Sequence, residues 1–245
     1  MVVWKKPARK LNLRFVEQSR RAITTKLATY GLTFENEFLQ EVAYFVDCNC
    51  EELSVTGGGP AEEGVDAARW DDEVQRAFYN GWKSIHGLKH QTIDIAHGIT
   101  IDIHGPTSLR RSDLHLLGSS NINGRLAELG NKKAYGDSIY PHLSNITSSN
   151  RAPYLTAREK LENRALKKVR ISIEWNYGVT SGLFGYLKNL NKLRLMETTR
   201  VAKVYTVATL LRNCHVCLYG SISSSYFGLE FPPDMLEKCL RVPGY

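Results

Sequence analysis

The chain has 245 residues, of which 42% are hydrophobic and 23% charged. That composition supports a buried core and excludes a disordered polyelectrolyte, and no apolar run approaches the roughly 20 residues of a membrane span. The net charge of +7 is uneven: residues 41–80 hold ten acids and two bases, whereas residues 151–245 hold fifteen bases and seven acids, which suits a polyanion such as nucleic acid or, equally, a solvated surface with a basic bias.

The opening MVVWKKPARK has charges with no apolar segment behind them, so no secretory signal is expected. Residues 1–40 are expected to form a partial helical region, with Leu13, Val16, Ile23, Leu27 and Tyr30 at helical spacing on one face. Val42 to Val46 is a short apolar run that reads as a buried strand ending at Asp47. Residues 51–79, acidic and holding Gly57-Gly58-Gly59-Pro60, read as an inserted loop or lobe after that strand. Leu88 to Ile103 alternates apolar and polar residues around His97-Gly98, the pattern of an antiparallel hairpin. Asp94 and Asp102 fall on its polar phase and are expected to face solvent, and Gly105-Pro106 is expected to stop the second strand.

Ser112 can cap a short helix through Leu116 and Leu117, and a second helix is expected over Ile122 to Leu129. Lys133 to Asp137 reads as a brief strand ending in an acid, and His142 to Thr147 as a last short strand. Thr156-x-x-Glu159 is a capping box opening a long helix, with a break expected near Gly178. A further helix is predicted over Val201 to Leu218, stopped by Gly220, and residues 221–245 are read as a tail. The main domain then spans 41–220. The element order predicts an α/β fold, a mixed sheet flanked by helices.

Two predicted strands end in aspartates, Asp47 and Asp137, and a third acid, Glu174, lies in the apolar setting Ile171-Ser172-Ile173-Glu174-Trp175. A carboxylate there should face a polar cavity or a partner, because burying a lone charge is costly. Three carboxylates without a histidine cluster suit a hard ion, Mg²⁺ or Mn²⁺. Two such ions about 4 Å apart activate water and stabilise the leaving oxygen of a phosphodiester. Cys48-x-Cys50 and Cys214-x-x-Cys217 admit a zinc site or reduced thiols on a strand end and a buried helix, acting as small hydrophobes.

From Phe45 onward the chain resembles the transposase-derived nucleases of the PIF/Harbinger superfamily. The resemblance rests on ordered segments: Phe45-Val46-Asp47-Cys48, Tyr79 to Lys89 (YNGWKSIHGLK), Gly105-Pro106 with Asp113, Gly136-Asp137-Ser138-Ile139-Tyr140, and Arg170 to Trp175 (RISIEW) after Asn163-Arg164. It implies a ribonuclease-H-like fold with a DDE triad on Asp47, Asp137 and Glu174, two divalent ions, and a DNA cut that leaves a 3′-hydroxyl. Asp113 matches a further family acid; it could assist the metals or simply cap a helix. Family membership also implies a nuclear location, a homodimer, or a separate DNA-binding partner.

Lys160, Arg164, Lys167 and Arg170 precede or share the Glu174 helix face and could grip phosphates, or form a solvated face with Arg170 paired to an acid. Lys83 and Lys89, with His86 and His90, could contact the DNA backbone or be plain surface residues. Trp175 and Tyr177 could stack on a flipped base or pack in the core. Only 46 residues precede Asp47, fewer than the family's upstream helix-turn-helix module and linker need. The alternative function is therefore a domesticated or truncated DNA-binding protein without turnover.

Overall fold

The computed structural model describes residues 8–32, 40–54, 73, 75–128, 132–188 and 198–230, without the side chains of 8–12. The expected insertion lies mostly outside the described residues, as does the chain after 230.

The central strand, β1 (Val42–Glu52), starts with five consecutive buried residues. A run with no polar phase needs cover on both faces, and the structure supplies it. β1 pairs antiparallel with β3 (Ile85–Ile95), Tyr44 opposite Ile95 and Asp47 opposite Thr92, and parallel with β5 (Lys133–Tyr135), Phe45 opposite Tyr135. β6 (Ile146–Thr147) adds parallel to β5; β4 (Thr100–Ser108) and the two-residue β2 (Tyr79–Asn80) pair with β3. The sheet order is β2-β3-β1-β5-β6, with β4 beside β3: a mixed α/β sheet flanked by helices, as in a ribonuclease-H-like DDE fold.

One core cluster joins Tyr44, Val46, Ile93 and Ile95 to Ile122 and Leu126 of a short helix, α3 (Ile122–Glu128), which follows α2 (Asp113–Ser120). A second joins Val42, Phe45 and Tyr135 to Leu166, Val169 and Ile173 of the long helix α4 (Ala157–Leu183). The first helix, α1 (Ala8–Ala28), feeds both, Phe15 and Val16 into one and Ile23 and Leu27 into the other. The N-terminal segment is thus part of the core. After α5 (Gly185–Lys188) and α6 (Thr198–Tyr219), α7 (Ile222–Phe227) returns to the sheet, where Phe227 stacks on Phe45 with ring centroids 6.0 Å apart.

Local signals formed where expected. Thr156 closes a reciprocal capping box with Glu159, and Ser112 caps α2. Gly98 turns the hairpin at φ +81°, and its N–H bonds the Ile95 carbonyl at 2.9 Å. α4 runs through Gly178 without a break.

Two further expectations, both in the hairpin, also fail. Gly105-Pro106 does not stop β4. Lys89 pairs with Thr107 and Gln91 with His104, so these two residues oppose His90 alone in a bulge, which absorbs the missing proline N–H. Gly105 sits at φ +126°, where a Cβ would meet the Lys89 carbonyl at 2.9 Å.

The polar phase of the hairpin is also not wet. Asp94 is fully buried, accepting from Thr100 Oγ1 at 2.8 Å and Asn176 Nδ2 at 2.6 Å. Arg212 of α6, itself buried, donates to the Gly98 carbonyl and to Thr100 Oγ1. Asp102 pairs with Arg125 at 2.6 Å. Asp94 and Asp102 lie on opposite faces, and helices cover both and meet these polar residues with polar partners.

His97 sets an acid limit on stability. It is buried edge-on to Phe15, centroids 5.4 Å apart, and burial pushes its pKa down to about 4. The neutral ring is favoured in the fold, so its contribution is complete above the unfolded value of about 6.5 and is lost as pH falls from there toward 4, about 3 kcal/mol in all. Denaturant melts at pH 7 and pH 4.5 should show that loss in the wild type and not in His97→Gln; equal losses would refute the assignment.

Candidate catalytic site

The last parallel pair of β1 and β5 is Phe45 with Tyr135, and Asp47 and Asp137 each lie two residues further on. Strand alternation puts Asp47 on the Phe45 face, under α4. Neither aspartate ends its strand as expected. β1 continues to Glu52, and Asp137 stands in the turn after β5. That turn is fixed by Ser138 N–H donating to Asp137 Oδ1 at 2.6 Å and by Tyr140 N–H donating to the Asp137 carbonyl at 2.9 Å.

Gly136 lets the turn come this close. A Cβ there would lie 2.7 Å from Tyr140 Cδ2 and 2.9 Å from Val46 Cγ1, both in the core. Gly136→Ala should therefore destabilise by about 1–3 kcal/mol and shift Asp137 outward. A thermal melt reads the first effect, and an unchanged melting temperature would show that the contact is slack.

Glu174 reaches the site from α4. Val169 and Ile173 point into the core, which leaves Arg170 and Glu174 on the flank above Asp47. Arg170 donates to Asp47 Oδ2 at 2.5 Å and to Glu174 Oε1 at 3.0 Å, so one guanidinium joins two of the three acids. The other Asp47 oxygen accepts from Cys48 N–H at 2.8 Å. Burial is the largest influence on Asp47 and pushes its pKa up to about 6; Arg170 opposes this, and the nearby charges of Asp113 and Asp137 add to it.

The expected accessory and DNA-facing residues divide. Asp113 opens α2 and takes Lys89 Nζ at 2.6 Å. Lys89 alternates with the Cys48 face of the sheet, opposite to Asp47, and also donates to the Arg111 carbonyl at 2.8 Å. It is only 7% exposed, so it positions Asp113 and does not present an ammonium to DNA. His90 is buried as well, 2.7 Å from Glu51 and stacked on Tyr205. Lys160, Arg164 and Lys167 are exposed along α4, and Lys83 is exposed with Nζ 3.2 Å from Cys50 Sγ. Trp175 packs edge-on against Tyr226, and the Tyr177 hydroxyl pairs with Thr92 Oγ1 at 2.8 Å, which places both in packing roles. Sequence reasoning missed Trp82, although Asn80-Gly81 marks the turn that displays it.

The donor set fits a hard divalent ion. It consists of carboxylates, one of them held above its usual range by burial and by its acidic neighbours, and a cation already lies between Asp47 and Glu174 in the form of Arg170. Among the described residues, no three His, Cys, Asp or Glu side chains stand at metal-holding spacing, and Arg170 lies between Asp47 and Glu174. The described cysteines are free thiols.

Comparison with known families decides the relationship: residues 65–213, more than half of the chain, match the DDE superfamily endonucleases. The chain belongs to that family. The matched span of this DDE endonuclease domain includes Asp113, Asp137, Arg170 and Glu174, while Asp47 precedes it. No curated protein and no solved structure matches the chain.

Proposed function

We propose that this chain is a divalent-metal-dependent DNA endonuclease of the PIF/Harbinger type, with Asp47, Asp137 and Glu174 as its catalytic acids. The observation that carries this reading is the placement of Asp47 and Asp137 side by side beyond the last parallel strand pair, with Glu174 tied to Asp47 through Arg170. Bound there by the three carboxylates, Mg²⁺ or Mn²⁺ supplies an activated nucleophile and neutralises developing phosphate charge.

The chain's own residues do the rest. Burial of Asp47 excludes water around the reacting phosphate. Arg170 is freed to pair with a phosphate oxygen as its carboxylates take another partner. Lys160, Arg164 and Lys167 on α4, with Lys83, orient the backbone. DNA is the partner, the nucleus its place of action, and a homodimer or a separate DNA-binding protein supplies target choice.

Supercoiled plasmid with Mn²⁺ should be nicked by the chain and spared when EDTA is present. Absence of nicking would favour the second reading, a DNA-binding protein that keeps the fold without turnover. Arg170 is the observation behind that second reading, because it neutralises Asp47 and Glu174 without a metal.

A further inference from the structure

Away from the carboxylates, the start of β3 carries a groove of about 530 Å³ lined by Arg76, Tyr79, Asn80, Gly81, Trp82 and Arg110. None of its lining residues is acidic. Trp82 is 95% exposed and Tyr79 40%, and Tyr79 leans on His86 with ring centroids 4.9 Å apart. The display is built. Asn80 Nδ2 donates to the Leu109 carbonyl at 2.8 Å, and its Oδ1 accepts from Lys83 N–H at 2.9 Å. That side chain pins the tight turn between β2 and β3, at whose tip Trp82 stands, and ties it to the end of β4. Ser84 completes the turn at φ +56°.

We propose that this groove is a stacking subsite for an unpaired base of the DNA substrate, with Trp82 against the base face and Arg76 and Arg110 on the flanking phosphates. The proposal rests on the reading of DNA as substrate. An exposed indole on a pinned turn beside two guanidinia matches what sequence-tolerant single-strand binding needs: a π-face for the base and cations for the backbone. The lining carries two guanidinia and no acid, which favours a polyanion over a protein surface of mixed charge. Tyr79 pairs with His86 on the same sheet face as Thr92 and Asp47. The six steps from His86 to Thr92 set the groove about 20 Å along the strand from the level of Asp47, the length of about six nucleotides at about 3.4 Å each.

The test is a titration of the full chain with a single-stranded mixed-sequence oligonucleotide, with EDTA present so that cutting plays no part. Trp82→Ala should bind roughly 5- to 150-fold more weakly, Trp82→Phe should retain most of the affinity, and the wild-type quenching of the exposed indole should vanish in Trp82→Ala. Arg76→Gln with Arg110→Gln should flatten the salt dependence of binding. Because EDTA removes cutting from the readout, loss of binding in this titration and loss of plasmid nicking are separate outcomes, which separates this subsite from the catalytic reading. Undiminished binding by Trp82→Ala, or equal losses in the alanine and phenylalanine variants, would overturn the proposal even if the plasmid is nicked. Weakened binding without quenching would overturn it too, and tighter capture of an acidic peptide than of the oligonucleotide would assign the groove to a protein.

Discussion

Asp137→Ala should lower Mn²⁺-dependent plasmid nicking by at least about a hundredfold while leaving the protein folded. Losing even an outer-shell group of a metal site costs about 10–100-fold, and Asp137 is assigned directly to the metal. Its side chain is half-buried in a turn and, among the described residues, bonds its own neighbour, Ser138, at 2.6 Å, so the fold loses little with it. Two measurements are needed. Nicking reports the chemistry, and the melting temperature with and without Mn²⁺ reports binding, because a ligand that prefers the folded state raises it. The wild type should show a Mn²⁺-dependent rise that Asp137→Ala lacks. Nicking that survives the substitution would remove Asp137 from the site.

Arg212→Leu should be the most damaging single change among the described core residues, at about 3–5 kcal/mol, the usual cost of breaking a buried charge pair from one side. The side chain is 1% exposed, and its guanidinium serves the Gly98 carbonyl, Thr100 Oγ1 and, at 3.0 Å, Asn213 Oδ1. Asp94 lies in the same network; burial pushes its pKa up, and Arg212 is the main influence pulling it back down. Without Arg212 the carboxylate has no buried cation. Its pKa rises further, so the variant should gain stability as pH falls and the carboxyl takes its proton. Asp94→Asn in the Arg212→Leu background should recover part of the loss, since it removes the uncompensated charge. A double variant no more stable than Arg212→Leu would show that the two residues are not coupled. Urea denaturation of the four proteins completes the cycle.

Features written in neighbouring residues were legible in the sequence. The capping box at Thr156, the cap at Ser112 and the turn at Gly98 each need only a few consecutive residues, and each formed where expected. What escaped was pairing at long range. His90, Thr92 and Asp94 look like the wet side of a hairpin because their partners, Tyr205, Tyr177, Asn176 and Arg212, lie more than eighty residues away. Lys89 looks like a free cation for the same reason, its acid being Asp113. The site shows the same limit. The acids Asp47, Asp137 and Glu174 could be picked out by their company in the chain, but the guanidinium that spans Asp47 and Glu174 follows only from α4 lying over β1. The alternatives for Arg170 included an acid partner; that it holds two could not be read from spacing.

The buried polar face of the hairpin also governs the order in which this chain can fold as it is made. Gly98 leaves the ribosome 114 residues before Arg212, the side chain that its carbonyl binds. During that interval the hairpin holds a carboxylate destined for burial and no cation to accompany it. β3 and β4 can pair early, but their polar face cannot be sealed until α6 has been synthesised. Nascent chains stalled before residue 212 should accordingly remain sensitive to protease at the hairpin, and expression fragments cut short of α6 should fail as soluble proteins even though every strand of the sheet is present.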